Sequence, residues 1–563
     1  MNRETACINE FLAGAKGDET VYITDVRRAF DRVGTLAFHI HVLLYEGETE
    51  CFPLAIPKWE SEEERDFVAE YIRASVFNIL CTLGALRIVI YLDKEESGLR
   101  EIAEGLKEDF QLRLAKTERS GYGKSLNVNE RTVRALFGDT QAFAIEVRDL
   151  SEEKAPEKTP SEPEGKAVFA QLPHRAQSAF LLGIDVGGTD IKFAVSRDGE
   201  LVHCEELNWA PASFSCVEQL TGPVIETTKR LMEQWGEGRK WDGIGLSWPD
   251  VIIRNMIVGG ETTKTKGLRE NPDRDYEEQF AQLTGLCGVL GAYTKSGSAV
   301  MCCNDGPMAA FTDAVEMTAA GEDVSKGFIA YSLGTELGTG WVRADGSIPQ
   351  IPLEFYQCII DLGSRTARKY NAEDVRSTLN VNTMLPGTLQ KYTGQSGVFR
   401  LACKLLPKME PALYDEVLAK GLFRVSEDGA FIEVPTEPED MRKACLEFFM
   451  EKAASGESEV CREIFREIGR YIAVTWAENE YLFHPAAKER TLFGRLVKRK
   501  ECFDLIKEGA AGREPSLVLK NADSGLAITP LMVQLKEHPV FTVAQFAQAV
   551  GALHFACVGL GGR

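Results

Sequence analysis

The residues best suited to chemistry begin with Asp185, which ends an apolar run and is followed closely by Gly187, Gly188 and Thr189. Adjacent glycines let backbone N–H groups converge on an oxygen-rich ligand such as phosphate. Asp185 is placed to hold a divalent cation, through water. An alternating apolar run resumes at Ile191, so the pattern predicts strand, turn, strand. A Rossmann site would continue into a helix, so this segment indicates a different way of binding phosphate. A hairpin turn without any ligand is the alternative.

A lone carboxylate marks a second segment. Asn304 and Asp305 end a short apolar run, and Gly306 and Pro307 then open a predicted helix. Transfer of a phosphoryl group to an alcohol requires a carboxylate within hydrogen-bond reach of the attacking hydroxyl. Asp305 suits that role. An aspartate before a helix can also act as its N-cap alone, so both interpretations stay open.

A second glycine-rich turn lies between two further predicted strands and contains Gly334, Thr335, Gly338 and Gly340. Its backbone N–H groups and threonine hydroxyl can bind a triphosphate. Glu336 interrupts the turn, and a carboxylate beside phosphates is repulsive unless a cation lies between them.

Taken in order, these segments resemble the ROK (repressor, ORF, kinase) sugar kinases of the actin/hexokinase/Hsp70 superfamily. GIDVGGTDIK is similar to the first phosphate motif of that family, NDGPMAA to its N-D-A-N-A-A segment, and GTELGTG to its second phosphate motif. The resemblance covers roughly residues 180–558 at low identity. It implies an α/β, two-lobed, actin-like (ribonuclease H-like) ATPase fold with a cleft between the lobes. It also implies ATP and Mg²⁺ as cofactors, Asp185 at the Mg²⁺, and Asp305 as the general base.

The resemblance also implies a sugar site. Asn304 and Glu354 match sugar-binding positions, whereas Gln357 stands where the family has histidine. Gly494 alone remains of a Gly-Gly pair beside the adenosine. The family's C-x-C-G-x-x-G-C motif is absent after Gln357, so we expect no structural zinc. Trp248 and Asp250 replace smaller residues beside the sugar.

The implied function is ATP-dependent phosphorylation of a hydroxyl group on a sugar or sugar derivative. The alternative is a regulatory protein of the same fold that binds a sugar or nucleotide and has lost turnover. Glu336, Gln357 and the reduced adenosine motif favour that alternative, and Asp185 and Asp305 oppose it.

Composition excludes several classes of protein. The chain has 64 Lys and Arg against 85 Asp and Glu, a net charge of −21, which argues against a nucleic-acid-coating surface. No apolar run reaches membrane-spanning length and no secretory signal is found, so we expect no membrane partner and a cytoplasmic location. The 14 cysteines are scattered, as in a reduced protein. A homo-oligomer remains open.

The 563 residues predict several domains. Residues 1–150 are predicted to form an α+β domain of unknown role, with a helix from Glu62 to Leu80 that begins at a Ser61–Glu64 capping box. Residues 151–178, rich in Glu, Lys and Pro, are a predicted linker. Residues 179–563 then form the kinase-like domain, with a helical insertion at about 370–460.

Two smaller groups allow more than one interpretation. His39 and His41 lie on one face of a predicted strand. They could bind a metal, but without a nearby Cys or third His, a surface or interface pair is favoured. Lys264 and Lys266 could meet a phosphate or carboxylate of the substrate, or be solvated loop lysines.

Overall fold

The computed structural model describes residues 2–154, 168–259, 263–297, 299–365, 370–522 and 525–560. Most of the predicted linker, residues 155–167, lies outside the described residues. Part of the turn-rich loop before Lys264 does as well.

The N-terminal unit is a four-stranded sheet in the order β2-β1-β3-β4, flanked by helices. Its elements are α1 (Arg3–Lys16), α2 (Ile23–Val33), β1 (Leu36–Leu43), β2 (Thr49–Ile56), α3 (Glu62–Leu83), β3 (Arg87–Leu92), α4 (Ser97–Asp109), α5 (Lys124–Phe137) and β4 (Ala144–Asp149). The capping box of Ser61 and Glu64 is formed at the start of α3. The predicted α+β character is confirmed.

The first lobe follows. Its elements are α6 (Val168–Ala176), β5 (Phe180–Val186), β6 (Asp190–Arg197), β7 (Glu200–Asn208), α7 (Val217–Trp235), β8 (Gly243–Trp248), β9 (Ile252–Ile253), β10 (Met256–Ile257), α8 (Lys266–Glu270), α9 (Tyr276–Thr284), α10 (Leu286–Gly291) and β11 (Val300–Asn304). The main sheet has the order β11-β8-β5-β6-β7. β6 is antiparallel to β5 and β7, whereas β5, β8 and β11 run parallel.

One boundary in this lobe differs from expectation. α6 forms within the predicted linker, where Phe169 and Leu172 are buried. α7 begins at Val217, and Val217 and Leu220 bury their side chains in the same cluster as the residues that follow.

The second lobe begins with α11. Its elements are α11 (Asp305–Ala319), β12 (Phe328–Leu333), β13 (Leu337–Val342), α12 (Gly394–Met409), α13 (Pro411–Ala419), β14 (Arg424–Val425), β15 (Ile432–Glu433), α14 (Arg442–Ser455), α15 (Glu459–Phe483), β16 (Glu489–Phe493), α16 (Lys500–Arg513), β17 (Val518–Asn521), α17 (Pro530–Lys536) and α18 (Val543–Gly559). The helices predicted within residues 370–460 are therefore present as α12 to α14.

The two main sheets repeat one topology. In the second sheet, of order β13-β12-β16-β17, β12 pairs antiparallel with β13 and parallel with β16, which is parallel to β17. The first sheet uses the same directions for β5, β6, β8 and β11. A hairpin followed by parallel strands, present twice, is the two-lobed actin-like α/β fold. The predicted fold class is confirmed.

The C-terminal helix α18 returns to cover the first sheet at close range. A Cβ atom at Gly183 would lie 2.0 Å from the carbonyl oxygen of Ala549, and one at Gly245 would lie 1.9 Å from that of Ala552. Only glycine permits this approach, so these two residues fix the helix against the strands that lead to the cleft.

The N-terminal unit and the second lobe share one hydrophobic core, which contains residues such as Phe30 and Tyr71 together with Tyr392 and Phe465. Polar bonds cross the same boundary: the Arg27 guanidinium donates two hydrogen bonds to Glu478, at 2.6 and 3.0 Å.

The N-terminal unit also reaches the first lobe. Arg131 and Lys116 both bond Glu277, at 2.7 and 2.9 Å. The unit therefore contacts both lobes. The division of the chain at residues 151–178 stays a prediction.

None of the helices in the described ranges combines the length and apolar character needed to cross a bilayer.

Candidate active site

A cavity of about 1040 Å³ lies between the lobes. It brings together residues of all three predicted segments and of the predicted sugar site: Gly188, Thr189, Asn304, Asp305, Gly334, Thr335, Gly338, Glu354 and Gln357. Two glycine-bearing hairpins some 150 positions apart in the chain thus face one space, and Asp305 lines the same space.

Asp185 and Asp305 stand at one edge of the first sheet. Asp185 is the second-last residue of β5, and Asp305 directly follows β11. Because the two strands run parallel to β8 and end at the same edge of the sheet, the two carboxylates come close. Burial raises the pKa of Asp185 to about 6, the Lys192 charge opposes this, and the Asp305 charge adds to it. Carboxylate oxygens are the protein ligands that Mg²⁺ prefers, so the residues at this edge fit such an ion.

Asp305 is the first residue of α11, and Asn304 is the residue that caps the helix. The side-chain oxygen of Asn304 accepts a 2.9 Å hydrogen bond from the Gly306 N–H, and its amide nitrogen donates to the Asp250 carbonyl at 3.0 Å. The alternative in which Asp305 serves only as the N-cap therefore loses its support. The Asp305 side chain is accessible from the cavity. The protein groups around it exclude part of its water, which raises its pKa, and the Lys264 charge opposes this effect.

The two loop lysines have different surroundings. Lys264 lines the cavity, and its charge acts on both Asp305 and Glu336. Lys266 is largely exposed and pairs with Glu270 at 3.9 Å, one helical turn away. Lys266 therefore fits the interpretation of a solvated loop lysine. Lys264 instead places its positive charge at the cavity.

The second hairpin combines ligand-facing and packing positions. Glu336 lines the cavity and accepts a 2.6 Å hydrogen bond from the Gln390 amide, while burial raises its pKa. Gly340 instead packs on α11, where a Cβ atom would lie 2.3 Å from the Gly306 carbonyl oxygen. This packing alone requires a glycine at position 340. The predicted contact between Gly340 and phosphate is therefore not needed to explain the residue.

Gly187 and Gly494 hold turns together. The Gly187 N–H donates to the Asp190 carbonyl at 2.8 Å, which closes the first hairpin. Gly494 follows β16 with φ of 103°, and a Cβ atom there would lie 2.6 Å from the Leu333 carbonyl oxygen. Its neighbour Phe493 is the residue of this turn that lines the cavity.

The segment that carries Glu354 and Gln357 is held by α3 of the N-terminal unit. The backbone N–H groups of Leu353 and Glu354 donate to the carbonyls of Thr82 and Cys81, at 2.9 and 3.0 Å. The Asn78 side chain then bonds both backbone groups of Ile359, at 2.8 and 3.0 Å. The position of Glu354 in the cleft therefore depends on the N-terminal unit.

Glu354 is the carboxyl group of the predicted sugar site, and its pKa is raised. Burial raises its pKa to about 7, the nearby Tyr356 hydroxyl opposes this, and the Asp250 charge adds to it. The Gln357 amide donates to the Glu354 carboxyl at 3.1 Å. Gln357 therefore orients the carboxyl group beside which it lies.

Replacing Glu354 by glutamine should stabilise the protein more at pH 8 than at pH 5. The pKa of Glu354 is raised from 4.5 to about 7 in the folded protein. Between those pH values the folded state binds more protons than the unfolded state, so the wild type loses stability as the pH rises through this range. Since one pKa unit is worth ~1.4 kcal/mol and cleft water screens part of it, the gain at pH 8 should be about 1–2 kcal/mol. Urea unfolding at the two pH values measures it, and an equal gain at both would contradict this prediction.

Part of the cavity wall was not predicted from sequence. α3 and α5 of the N-terminal unit contribute Leu80, Lys124 and Val128, and the first lobe contributes Trp209. No local pattern distinguishes these residues from ordinary core or surface positions. Trp248 and Asp250 were expected to alter the wall, and here the Trp248 indole N–H donates to the Asp250 carboxylate at 3.1 Å.

No protein-family model and no curated protein matches the sequence. Among solved structures, the chain is similar to a ROK family glucokinase from Streptomyces griseus in complex with glucose and AMPPNP, at 16% identity over 66% of this chain and 98% of that chain, with a TM-score of 0.37. It is similar to ROK hexokinase from Thermus thermophilus, at 15% identity over 68% and 99%, with a TM-score of 0.39. A hexokinase from Schistosoma mansoni complexed with glucose gives 12% identity over 80% and 99%, with a TM-score of 0.37. These values transfer no residue role or activity to this chain, whose fold class rests on its own strand order.

Proposed function

We propose that the chain transfers the γ-phosphoryl group of ATP to a hydroxyl group of a sugar or sugar derivative. One observation carries the proposal: two glycine-bearing hairpins and Asp305 line a single interlobe cavity. Phosphoryl transfer requires little covalent chemistry from a protein and depends on positioning and on charge stabilisation. The cavity offers groups for each of these tasks.

In this proposal, Asp305 accepts the proton of the attacking hydroxyl. It lines the same cavity as the two hairpins, and Asn304 beside it is fixed by its bonds to Gly306 and Asp250. A carboxylate at this point acts as a general base once the hydroxyl is within hydrogen-bond reach. Glu354 and Gln357, which line the same cavity, orient the sugar.

The phosphates lie along the hairpins in the proposed complex. Gly188, Thr189, Thr335 and Gly338 offer backbone N–H groups and hydroxyls at the cavity surface. Gly334 also lines the cavity, where its N–H donates to the Glu336 carbonyl at 3.2 Å and closes the turn. Lys264 supplies positive charge in the same space. Mg²⁺, held through water at Asp185, would neutralise phosphate charge and reduce the repulsion from Glu336.

The second candidate is a sugar- or nucleotide-binding protein of the same fold without turnover. Glu336 favours it, because a buried carboxylate already bonded to Gln390 stands in the phosphate hairpin. The open cleft is common to both candidates. They differ in whether product forms.

Coupled ADP release over hexoses, amino sugars and acidic sugars tests the proposal. A kinase gives ADP release that depends on one class of sugar. A binding protein gives thermal stabilisation by sugar or ATP with no such release. We place the reaction in the cytoplasm, where the 14 cysteines stay reduced and ATP is available.

A further inference from the structure

One face of the N-terminal sheet carries metal-ligating side chains. Phe38, Ile40 and Val42 of β1 are fully buried on one face, so the alternating residues His39 and His41 lie on the other. β2 places Cys51 directly across from His41 in the antiparallel register. Cross-strand neighbours on one face lie close enough for their side chains to meet.

Glu153 reaches the same face from the end of the unit. β4 is separated from β1 by β3, so the chain after β4 turns back across the sheet to bring Glu153 over β1. There the Glu153 carboxylate lies 2.8 Å from Nε2 of His41 and 2.9 Å from Nδ1 of His39. A ligand nitrogen of His41, Sγ of Cys51 and a carboxylate oxygen of Glu153 all lie within 4.8 Å of one another.

We propose that His41, Cys51 and Glu153 bind a zinc ion, with His39 holding the carboxylate in place. Imidazole nitrogen, thiolate sulfur and carboxylate oxygen are all common ligands of this borderline-soft ion, and three protein ligands leave a fourth tetrahedral position for water. A hydrogen bond from a neighbouring side chain to a ligating carboxylate is the usual outer support of such sites. An ion pair between Glu153 and the two histidines would be complete without Cys51, so it would not explain the thiol beside them.

The site lies in the N-terminal unit, away from the residues that line the cleft, and is independent of the proposed reaction. It corrects one sequence-based interpretation. A surface or interface pair is the interpretation of His39 and His41 when no cysteine is near, but strand pairing supplies Cys51. The proposed site also departs from the expectation of no structural zinc, which depends on a motif that is absent after Gln357. By joining Glu153 to β1 and β2, the ion would anchor the residues that follow β4.

Titration of the reduced, metal-stripped full-length protein with Co²⁺, and its displacement by Zn²⁺, tests the site. We expect one equivalent to bind, with visible bands of a tetrahedral ion and a thiolate-to-cobalt charge-transfer band. Saturating Zn²⁺ should raise the melting temperature by about 2–5 °C. A folded wild-type protein that shows no charge-transfer band and no stoichiometric zinc would overturn the proposal.

Variants separate the ligands from other cysteines. Cys51→Ser should abolish the charge-transfer band, whereas Cys7→Ser, at a partly buried cysteine of the same unit, should retain it. His39→Asn should weaken zinc binding by about 10–100-fold without removing the band, as loss of an outer partner does. A band that persists in Cys51→Ser, or zinc affinity unchanged in both Glu153→Gln and His39→Asn, would reject this ligand set. If Cys51→Ser does not fold, the wild-type stoichiometry and the two other variants still decide.

Discussion

Replacing Asp305 by asparagine should lower sugar-dependent ADP release by about 10²–10⁴-fold, the usual contribution of a general base. The amide cannot accept the hydroxyl proton, yet its oxygen can still accept the hydrogen bond from the Gly306 N–H, which is 3.0 Å long in the wild type. The fold and the binding of ATP should therefore be preserved. Steady-state kinetics and ligand-induced thermal shifts on the same preparation measure both effects.

Asp313→Asn is the matched control for this variant. Asp313 lies on the same helix, and burial raises its pKa to about 7 while the Glu316 charge adds to the effect. It is not among the residues that line the cleft. Full activity is expected. If the two variants lost the same activity, the effect of Asp305→Asn would come from a disturbed helix and not from the loss of the proton acceptor.

Replacing Glu478 by alanine should destabilise the protein by about 3–5 kcal/mol, because it leaves a buried guanidinium without its counter-charge. Glu478 is fully buried and accepts hydrogen bonds from both Arg27 and Asn78. Asn78 in turn holds Ile359, in the segment that carries Glu354. Sugar-dependent activity should therefore fall along with stability. Urea unfolding gives the free energy change.

Glu514→Ala is the control for this second variant. Glu514 also pairs with an arginine of α2, Arg28, whose side chain is half exposed. An ion pair in contact with solvent contributes little, so the cost should be less than about 1 kcal/mol. If both variants lose the same small amount, the buried contact between the N-terminal unit and the second lobe is not what stabilises the protein.

The sequence predicted the elements whose signals are local. The Ser61–Glu64 capping box and the apolar stripe after it placed the start of α3 correctly. The glycine-bearing hairpins and the strand before Asp305 were found because turn residues and alternating runs lie next to each other in the chain. Their order supported the resemblance to the ROK sugar kinases, and that resemblance implied the two-lobed fold.

What the sequence did not predict depends on contacts between distant segments. Asn78 and Cys81 on α3 give no sign that they hold the segment at 353–359. Gly340 cannot be distinguished by sequence from a phosphate-binding glycine, since close packing and ligand approach both require a residue without a Cβ atom. Likewise, the pairing of His41 with Cys51 follows from a strand register that composition does not determine.

Transfer of the γ-phosphoryl group from ATP to a sugar hydroxyl, with Asp305 as the general base, is the reaction proposed for the cleft. Phosphorus NMR of a mixture of protein, ATP, Mg²⁺ and the most active sugar of the panel tests it most directly. We predict one equivalent of sugar phosphate for each ADP formed, and a fall of both products by about 10²–10⁴-fold in rate with Asp305→Asn. Formation of ADP and inorganic phosphate without any sugar phosphate, or sugar phosphate formed at the wild-type rate by Asp305→Asn, would contradict the account.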